Sequence, residues 1–232
     1  MCGRYTLVKK ADEVAKRFKV EVPSHYKPRY NAAPSQLLPV ITADAPEGLS
    51  WFYWGLIPSW SKNKSISQKL INARAETVEE KASFRNALQQ RRCLVPADGF
   101  FEWKPVSKKG KIPYRITLLK EQLFAFAGLW EEFEDDEGDM VHTFTILTTK
   151  ANSTLQNIHE RMPVILSPEA EALWMDKSAG PEDIRELLQP YHRDQTRFYT
   201  VSSLVNTATT DEPSVIAPAP AADQFGNYTL FN

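Results

Sequence analysis

Six short runs constrain this 232-residue chain more than anything else in it: QLLPVIT (36–42), LSWFYWGLI (49–57), PYRITLL (113–119), LFAFAGL (123–129), HTFTILT (142–148) and RFYTVS (197–202). Each is rich in aromatic or β-branched residues and is bounded by turn formers, the pattern of strands joined by short connections. Fewer segments read as helix. ADEVAKRF (11–18) places Ala11, Val14, Ala15 and Phe18 at helical spacing. Helices are also predicted over 76–90, 152–158, 168–176 and 181–189, with start signals at Ser167-Pro168 and Gly180-Pro181. From Pro213 onward the chain is rich in Pro and Ala and reads as an irregular tail on the surface. No repeat, low-complexity tract or Gly/Ser linker interrupts it. The expected architecture is α+β: a single domain over 1–232 with curved antiparallel β-sheets, barrel-like, flanked by short helices.

Composition enters where it excludes classes. No apolar run approaches the roughly 18 to 20 residues of a membrane span, and the N-terminus lacks the basic-then-apolar pattern of a signal peptide. A cytoplasmic protein with no membrane association is expected. The two cysteines, Cys2 and Cys93, cannot build a disulfide framework, and no Cys/His spacing matches a zinc site. Neither metal nor cofactor is expected. The net charge of −1 conceals an asymmetry: residues 1–112 hold 20 Lys and Arg against 10 Asp and Glu, whereas residues 113–232 hold 8 against 19. A basic face on the first half would suit an anionic partner. Scattered surface lysines offset by the acidic stretch from Glu131 to Asp139 are the plainer explanation.

Four stretches place reactive residues beside turns. In MCGRY, Cys2 follows the initiator methionine directly, and removal of Met1 would leave a free α-amine beside the thiol, a 1,2-aminothiol. In LINARAET, Asn72 and Arg74 share a face of any period-2 segment, although Asn72 equally suits the cap of the helix that follows. In PADGFFEW, a turn at Asp98-Gly99 leads into Phe101, Glu102 and Trp103, a carboxylate in apolar company that could also pair with Arg4 or Lys104. In NIHERMPVIL, His159 and Arg161 precede an apolar strand, and a histidine there can act as acid and base near neutral pH. Taken singly, each has an ordinary structural explanation.

As an ordered set they do not. MCGRY, RYNAAPSQ (29–36), WGLIPSW (54–60), INARAET (71–77), PADGFFEW (96–103) and IHERMPVIL (158–166) resemble the SRAP family, for SOS-response-associated peptidase, over nearly the whole chain. The resemblance implies action on abasic sites in single-stranded DNA, with a covalent DNA-protein crosslink formed through the N-terminal cysteine. It implies catalytic roles for Cys2, Asn72, Glu102 and His159, and DNA contacts from Arg4, Trp60, Arg74 and Arg161. Cys2 would supply amine and thiol, Glu102 would hold the α-ammonium or take its proton, His159 would move protons as the sugar opens, and Asn72 would orient the lesion. The arginines match family positions near phosphates, and Trp60 would stack on a base. Some relatives carry a second aromatic where this chain has Ser61. A monomer is expected. Two rival readings share these residues: a thiol-dependent peptidase that also removes Met1, and a noncatalytic single-strand-binding module.

Overall fold

The computed structural model describes residues 2–61 and 63–228. In chain order the elements are β1 (Tyr5–Leu7), α1 (Ala11–Phe18), β2 (Arg29–Ala32), β3 (Leu37–Thr42), β4 (Ala45–Trp54), β5 (Asn72–Arg74), α2 (Arg85–Gln90), β6 (Arg92–Ala97) and β7 (Gly99–Pro105). They continue with β8 (Lys111–Leu118), β9 (Phe124–Glu134), β10 (Met140–Lys150), β11 (Arg161–Pro163), β12 (Ile165–Leu166), α3 (Pro168–Met175), α4 (Pro181–Leu187) and β13 (Thr196–Thr200). Strands β10, β4, β3, β6 and β9 form a ring that closes through the β9–β10 pair, a five-stranded barrel. A second, open sheet runs β13-β8-β7-β1-β2.

The α+β architecture with barrel-like curvature is present, with one addition: β10 pairs in parallel with β4 and with β5, so the barrel is mixed. All six expected strands occur. Strands β6 and β7 were not expected: Pro96 interrupts the first and the turn signal at Asp98-Gly99 opens the second. Strands β1, β5, β11 and β12 span only two or three residues, too few to show a period.

Helices α1, α3 and α4 match their predicted spans closely, and Ser167 Oγ accepts the N–H of Ala170 at 3.2 Å as the cap of α3. The predicted helix over 76–90 is overturned: only a 3-10 turn at Ala75–Thr77 and the short α2 form. Val78 and Ala87 are both fully buried against the barrel, yet nine residues apart they fall half a turn out of phase in a continuous helix of about 3.6 residues per turn. Breaking the helix lets both face inward. The segment 152–158 likewise forms consecutive turns rather than a regular helix. Asn152 Oδ1 accepts the N–H groups of Thr154 and Leu155 there, an alternative to the helical ladder. The C-terminal tail is irregular, as expected, but not merely superficial. Val215 is fully buried, and Ala219 and Thr200 are joined by two hydrogen bonds.

One apolar cluster joins the two sheets. Cys2, Tyr5, Phe100 and Ile116 from the open sheet and its leading segment pack with Val40, Trp54, Phe126 and Ile146 of the barrel. The Tyr5 ring meets Trp54 edge-on at 5.3 Å and Phe126 at 5.9 Å. Helices α2, α3 and α4 cover the barrel through a separate cluster that includes Leu88, Trp174 and Ile184.

A buried polar hub fixes the open sheet. Asp98, between β6 and β7, accepts hydrogen bonds from Thr6 Oγ1 (2.6 Å), the Val8 N–H (2.5 Å) and Arg115 Nη2 (3.1 Å), while its own N–H donates to Thr6 O. Gly99 permits the close approach. A Cβ there would stand 2.9 Å from both Arg115 Nε and Thr6 Oγ1 and 3.0 Å from the Ile116 carbonyl oxygen. Gly99→Ala is therefore expected to destabilise the protein by about 1–3 kcal/mol through overpacking, read as a lowered denaturation midpoint at unchanged m-value.

Candidate active site

The site is assembled where β1 enters the sheet. Tyr5 pairs with Phe100 and Thr6 with Gly99, and the Phe101 N–H donates to Arg4 O, so residues 2–4 run antiparallel beside 101–103. This carries Cys2 into the core, where it is fully buried, with its thiol directed to Arg4 O at 3.7 Å. Burial, reinforced by the nearby Glu102 carboxylate, pushes the thiol pKa far above its usual range. Met1, whose removal the sequence reading requires, lies outside the described residues. Cys93, also buried, sits on β6.

Glu102 is carried by β7 opposite Tyr114 of β8 and is 4% exposed. Burial raises its carboxyl from an ordinary 4.5 to about 7. Glu102 and His159 line the same narrow cleft, with Arg161 and the apolar side chains of Phe100 and Ile158. Burial also lowers the pKa of His159. Its Nδ1 stands 3.0 Å from the Arg161 backbone nitrogen and 3.2 Å from the Arg161 carbonyl oxygen, contacts that suit different ring tautomers. Two groups of opposite charge type are thus both shifted toward their uncharged forms.

Asn72 opens β5, in parallel register with Ile146, and is not a helix cap. Its Nδ2 donates to Ile71 O at 2.7 Å, and the same carbonyl accepts Trp54 Nε1 at 2.8 Å. Since Trp54 packs on Tyr5, a continuous set of contacts runs from β1 to Asn72. The buried Asn72 Oδ1 accepts no hydrogen bond among the described residues.

The residues expected to touch DNA fall into three situations. Trp60 is 61% exposed and Arg74 is exposed at the end of β5. Arg4 is half-buried, donating from Nη1 to Gly3 O at 2.8 Å. Arg161 is buried and already engaged by Glu76 through Nη1 and Nη2, at 2.5 and 2.9 Å. Ser61, where an aromatic was noted in relatives, is buried and holds the loop through Asn63, so it takes no place beside Trp60 on the surface.

Ion pairs join the two halves of the chain in both senses, with Arg115–Asp98, Arg161–Glu76, Lys177–Asp44 and Arg185–Glu79 running from the second half to the first. Arg17 meets Glu171 and Arg29 meets Asp211, each at 2.6 Å, Arg91 meets Glu131, and Lys64 reaches Asp135 and Asp136. Sequence reasoning also left RYNAAPSQ without a role. Asn31 Nδ2 donates to the carbonyls of Val205, Thr207 and Thr210, and the Tyr30 and Asn31 N–H groups donate to Asp211, so the motif anchors the chain after β13. Asp98, Arg115 and Glu76 were not foreseen as site supports. Only the turn at Asp98 was marked.

The Glu102 carboxyl makes stability depend on pH with a definite sign. With a folded pKa of about 7 against an ordinary 4.5, the buried acid is protonated in both states at low pH, and the native state loses stability as pH rises through that interval. Glu102→Gln removes this dependence. Its melting temperature relative to the parent is expected to be higher at pH 8 than at pH 5, measured by paired thermal scans.

Known proteins show what the chain as a whole is similar to. The family profile described as SOS response associated peptidase (SRAP) matches residues 1–208. The chain is 47% identical over 221 residues to the abasic site processing protein YoqW of Bacillus subtilis, covering 93% of this chain and 99% of that one. It is 30% identical to the abasic site processing protein HMCES of Rattus norvegicus, over 85% of this chain and 67% of the other. Among solved structures, a protein from Bacteroides thetaiotaomicron superposes with a TM-score of 0.86 at 31% identity, covering 94% of this chain and all of its own. The chain belongs to the SOS response associated peptidase family.

Proposed function

We propose that this protein processes abasic sites in single-stranded DNA by closing a thiazolidine ring between Cys2 and the lesion aldehyde, once Met1 has been removed. The observation that carries the reading is Cys2 buried beside Glu102, a carboxyl that titrates at about 7. An α-amine has an ordinary pKa of about 7.7–8.0 and attacks only when neutral. A neighbouring carboxylate of nearly matched pKa can take that proton. The amine nitrogen bonds to the aldehyde carbon and water leaves, giving an imine. The thiol then adds across the C=N bond, sulfur to carbon and proton to nitrogen, so the net change is the loss of a single water. The ring removes the imine that would otherwise lead to strand cleavage, and the lesion is shielded.

The surrounding groups support the same chemistry. An abasic sugar is mostly a closed hemiacetal, and opening it requires a proton on the 4′-oxygen. The His159 ring, in its protonated form, is the donor for that step. Asn72 Oδ1 orients a sugar hydroxyl, while Arg74, Arg4 and the exposed Trp60 hold the strand through phosphates and base stacking. The high pKa of the Cys2 thiol weighs against the peptidase reading, since a cysteine hydrolase attacks as thiolate. Amine-first chemistry needs no resting thiolate.

Intact mass after incubation with an abasic single strand tests the proposal. The expected product is protein plus DNA less a single water, heat-stable without reductant, and absent from Cys2→Ala or from protein with an extension ahead of Cys2. A stable adduct of equal yield from a blocked N-terminus would sink the ring. Cys93→Ala is expected to react like the parent.

Arg74→Ala is expected to weaken binding to all single strands and to reduce the slope of log K against log salt by about 0.7. The crosslinking rate at saturating DNA should be unaffected. Salt titrations of affinity alongside single-turnover crosslinking check this, and a loss of rate without loss of affinity would reassign Arg74 to the chemistry.

A further inference from the structure

The Arg161 side chain does something the family resemblance did not lead one to expect. Strand β10 is flanked at its end by two short strands, with Thr148 in register with Arg74 of β5 on one side and with Pro163 of β11 on the other. Asn72 begins the first of these, and His159 stands two residues before the second. From the β11 side, Arg161 Nη2 donates to Thr148 O at 2.6 Å, and Nη1 and Nη2 reach the two carboxylate oxygens of Glu76, just beyond β5. The side chain therefore crosses β10 and ties one flank to the other. The backbone nitrogen of the same residue stands 3.0 Å from His159 Nδ1.

From this we infer that Glu76 is a positioning residue: its two-point pairing with Arg161 fixes the turn that holds His159 against the strand end that holds Asn72. A planar guanidinium bound at two points constrains both distance and orientation, which a single contact does not. Arg161 is buried and its charge needs a partner, while Glu76 is partly exposed and its carboxyl is held ionised by the Arg161 hydrogen bonds. The inference deepens the proposed function, because its rate measurement rests on that reading. A displacement of a catalytic group by about 1 Å can cost up to a hundredfold in rate.

The test uses full-length Glu76→Gln and Glu76→Ala proteins, with Glu79→Gln as the control. Glu79 is a nearby carboxylate paired to Arg185 at 3.0 Å, remote from His159 in its bonding. Three quantities are measured: the single-turnover crosslinking rate at saturating abasic single strand across pH, affinity for undamaged single strand, and the titration of the His159 ring by NMR without DNA. The charges acting on that ring are the chain's α-ammonium, Glu160 on its own segment and Lys111 on β8, and Glu102 on β7 and Arg161 line the same cleft. Removing Glu76 leaves Arg161 uncompensated, so the ring should titrate at lower pH than in the parent.

The expected result for Glu76→Ala is a rate lower by roughly ten- to a hundredfold, unchanged affinity for undamaged strand and the downward shift at His159. Glu76→Gln, which keeps the shape and one acceptor, should fall between Ala and the parent. Parental rate and an unmoved His159 titration in a merely less stable Glu76→Ala protein would overturn the inference. So would tighter binding of undamaged strand at parental rate, since Glu76 would then be competing with phosphate for Arg161. If the parent protein itself formed no adduct, the proposed function would fail, and the His159 titration would still decide the clamp.

Discussion

The buried pair of Asp98 and Arg115 is the interaction on which the rest of the site depends. Taking two charges out of water costs several kcal/mol per ion unless the remaining hydrogen-bonding groups are satisfied. Asp98 meets this condition by accepting from Thr6, from the Val8 N–H and from Arg115, and two of those three donors lie on or just after β1. A strand of three residues has little ladder of its own. Its place is set by the polar hub beneath it and by Tyr5 packed on Trp54, and the position of Cys2 follows from both. Arg115 extends the hub to β13 through Tyr199, whose hydroxyl in turn donates to Ile216 O.

Burial also sets the electrostatics of the cleft. The Cys2 thiol, Glu102 and His159 are all shifted toward their uncharged forms, with desolvation as the first cause in each case. A carboxyl raised to about 7 beside an imidazole lowered from its ordinary 6.5 inverts the usual order of the two groups, and the carboxyl can exchange protons with a substrate near neutral pH. An apolar cleft favours this only if it is narrow enough to keep water out, and its walls include Phe100 and Ile158. The same dryness would protect an imine from hydrolysis while sulfur closes on it.

Long-range ion pairs join the basic first half of the chain to the acidic second. Arginines of the first half are matched to carboxylates well over a hundred residues away, as in Arg17 with Glu171 and Arg29 with Asp211. They hold α1 to α3 and β2 to the chain after β13. Arg161 with Glu76 belongs to the same class of contact and lies beside the cleft. What distinguishes Arg74 is its exposure rather than its charge.

The sequence by itself determined strands β3, β4, β8, β9, β10 and β13, through aromatic and β-branched runs bounded by turn formers, and helices α1, α3 and α4, through spacing and start signals. It also marked Cys2, Asn72, Glu102 and His159, through short motifs whose order along the chain carries the family resemblance. Tertiary structure alone decided which of those residues meet. Strand β6 is interrupted by Pro96, β7 opens on a turn signal, and β5 and β11 span only three residues, yet these elements carry or adjoin Glu102, Asn72 and His159. The helix over 76–90 gave way because Val78 and Ala87 had to be buried together. Whether Arg161 faces a phosphate or a carboxylate was likewise beyond the sequence: a guanidinium suits both, and the choice was made by Glu76 lying across β10, a neighbour in space and not in the chain.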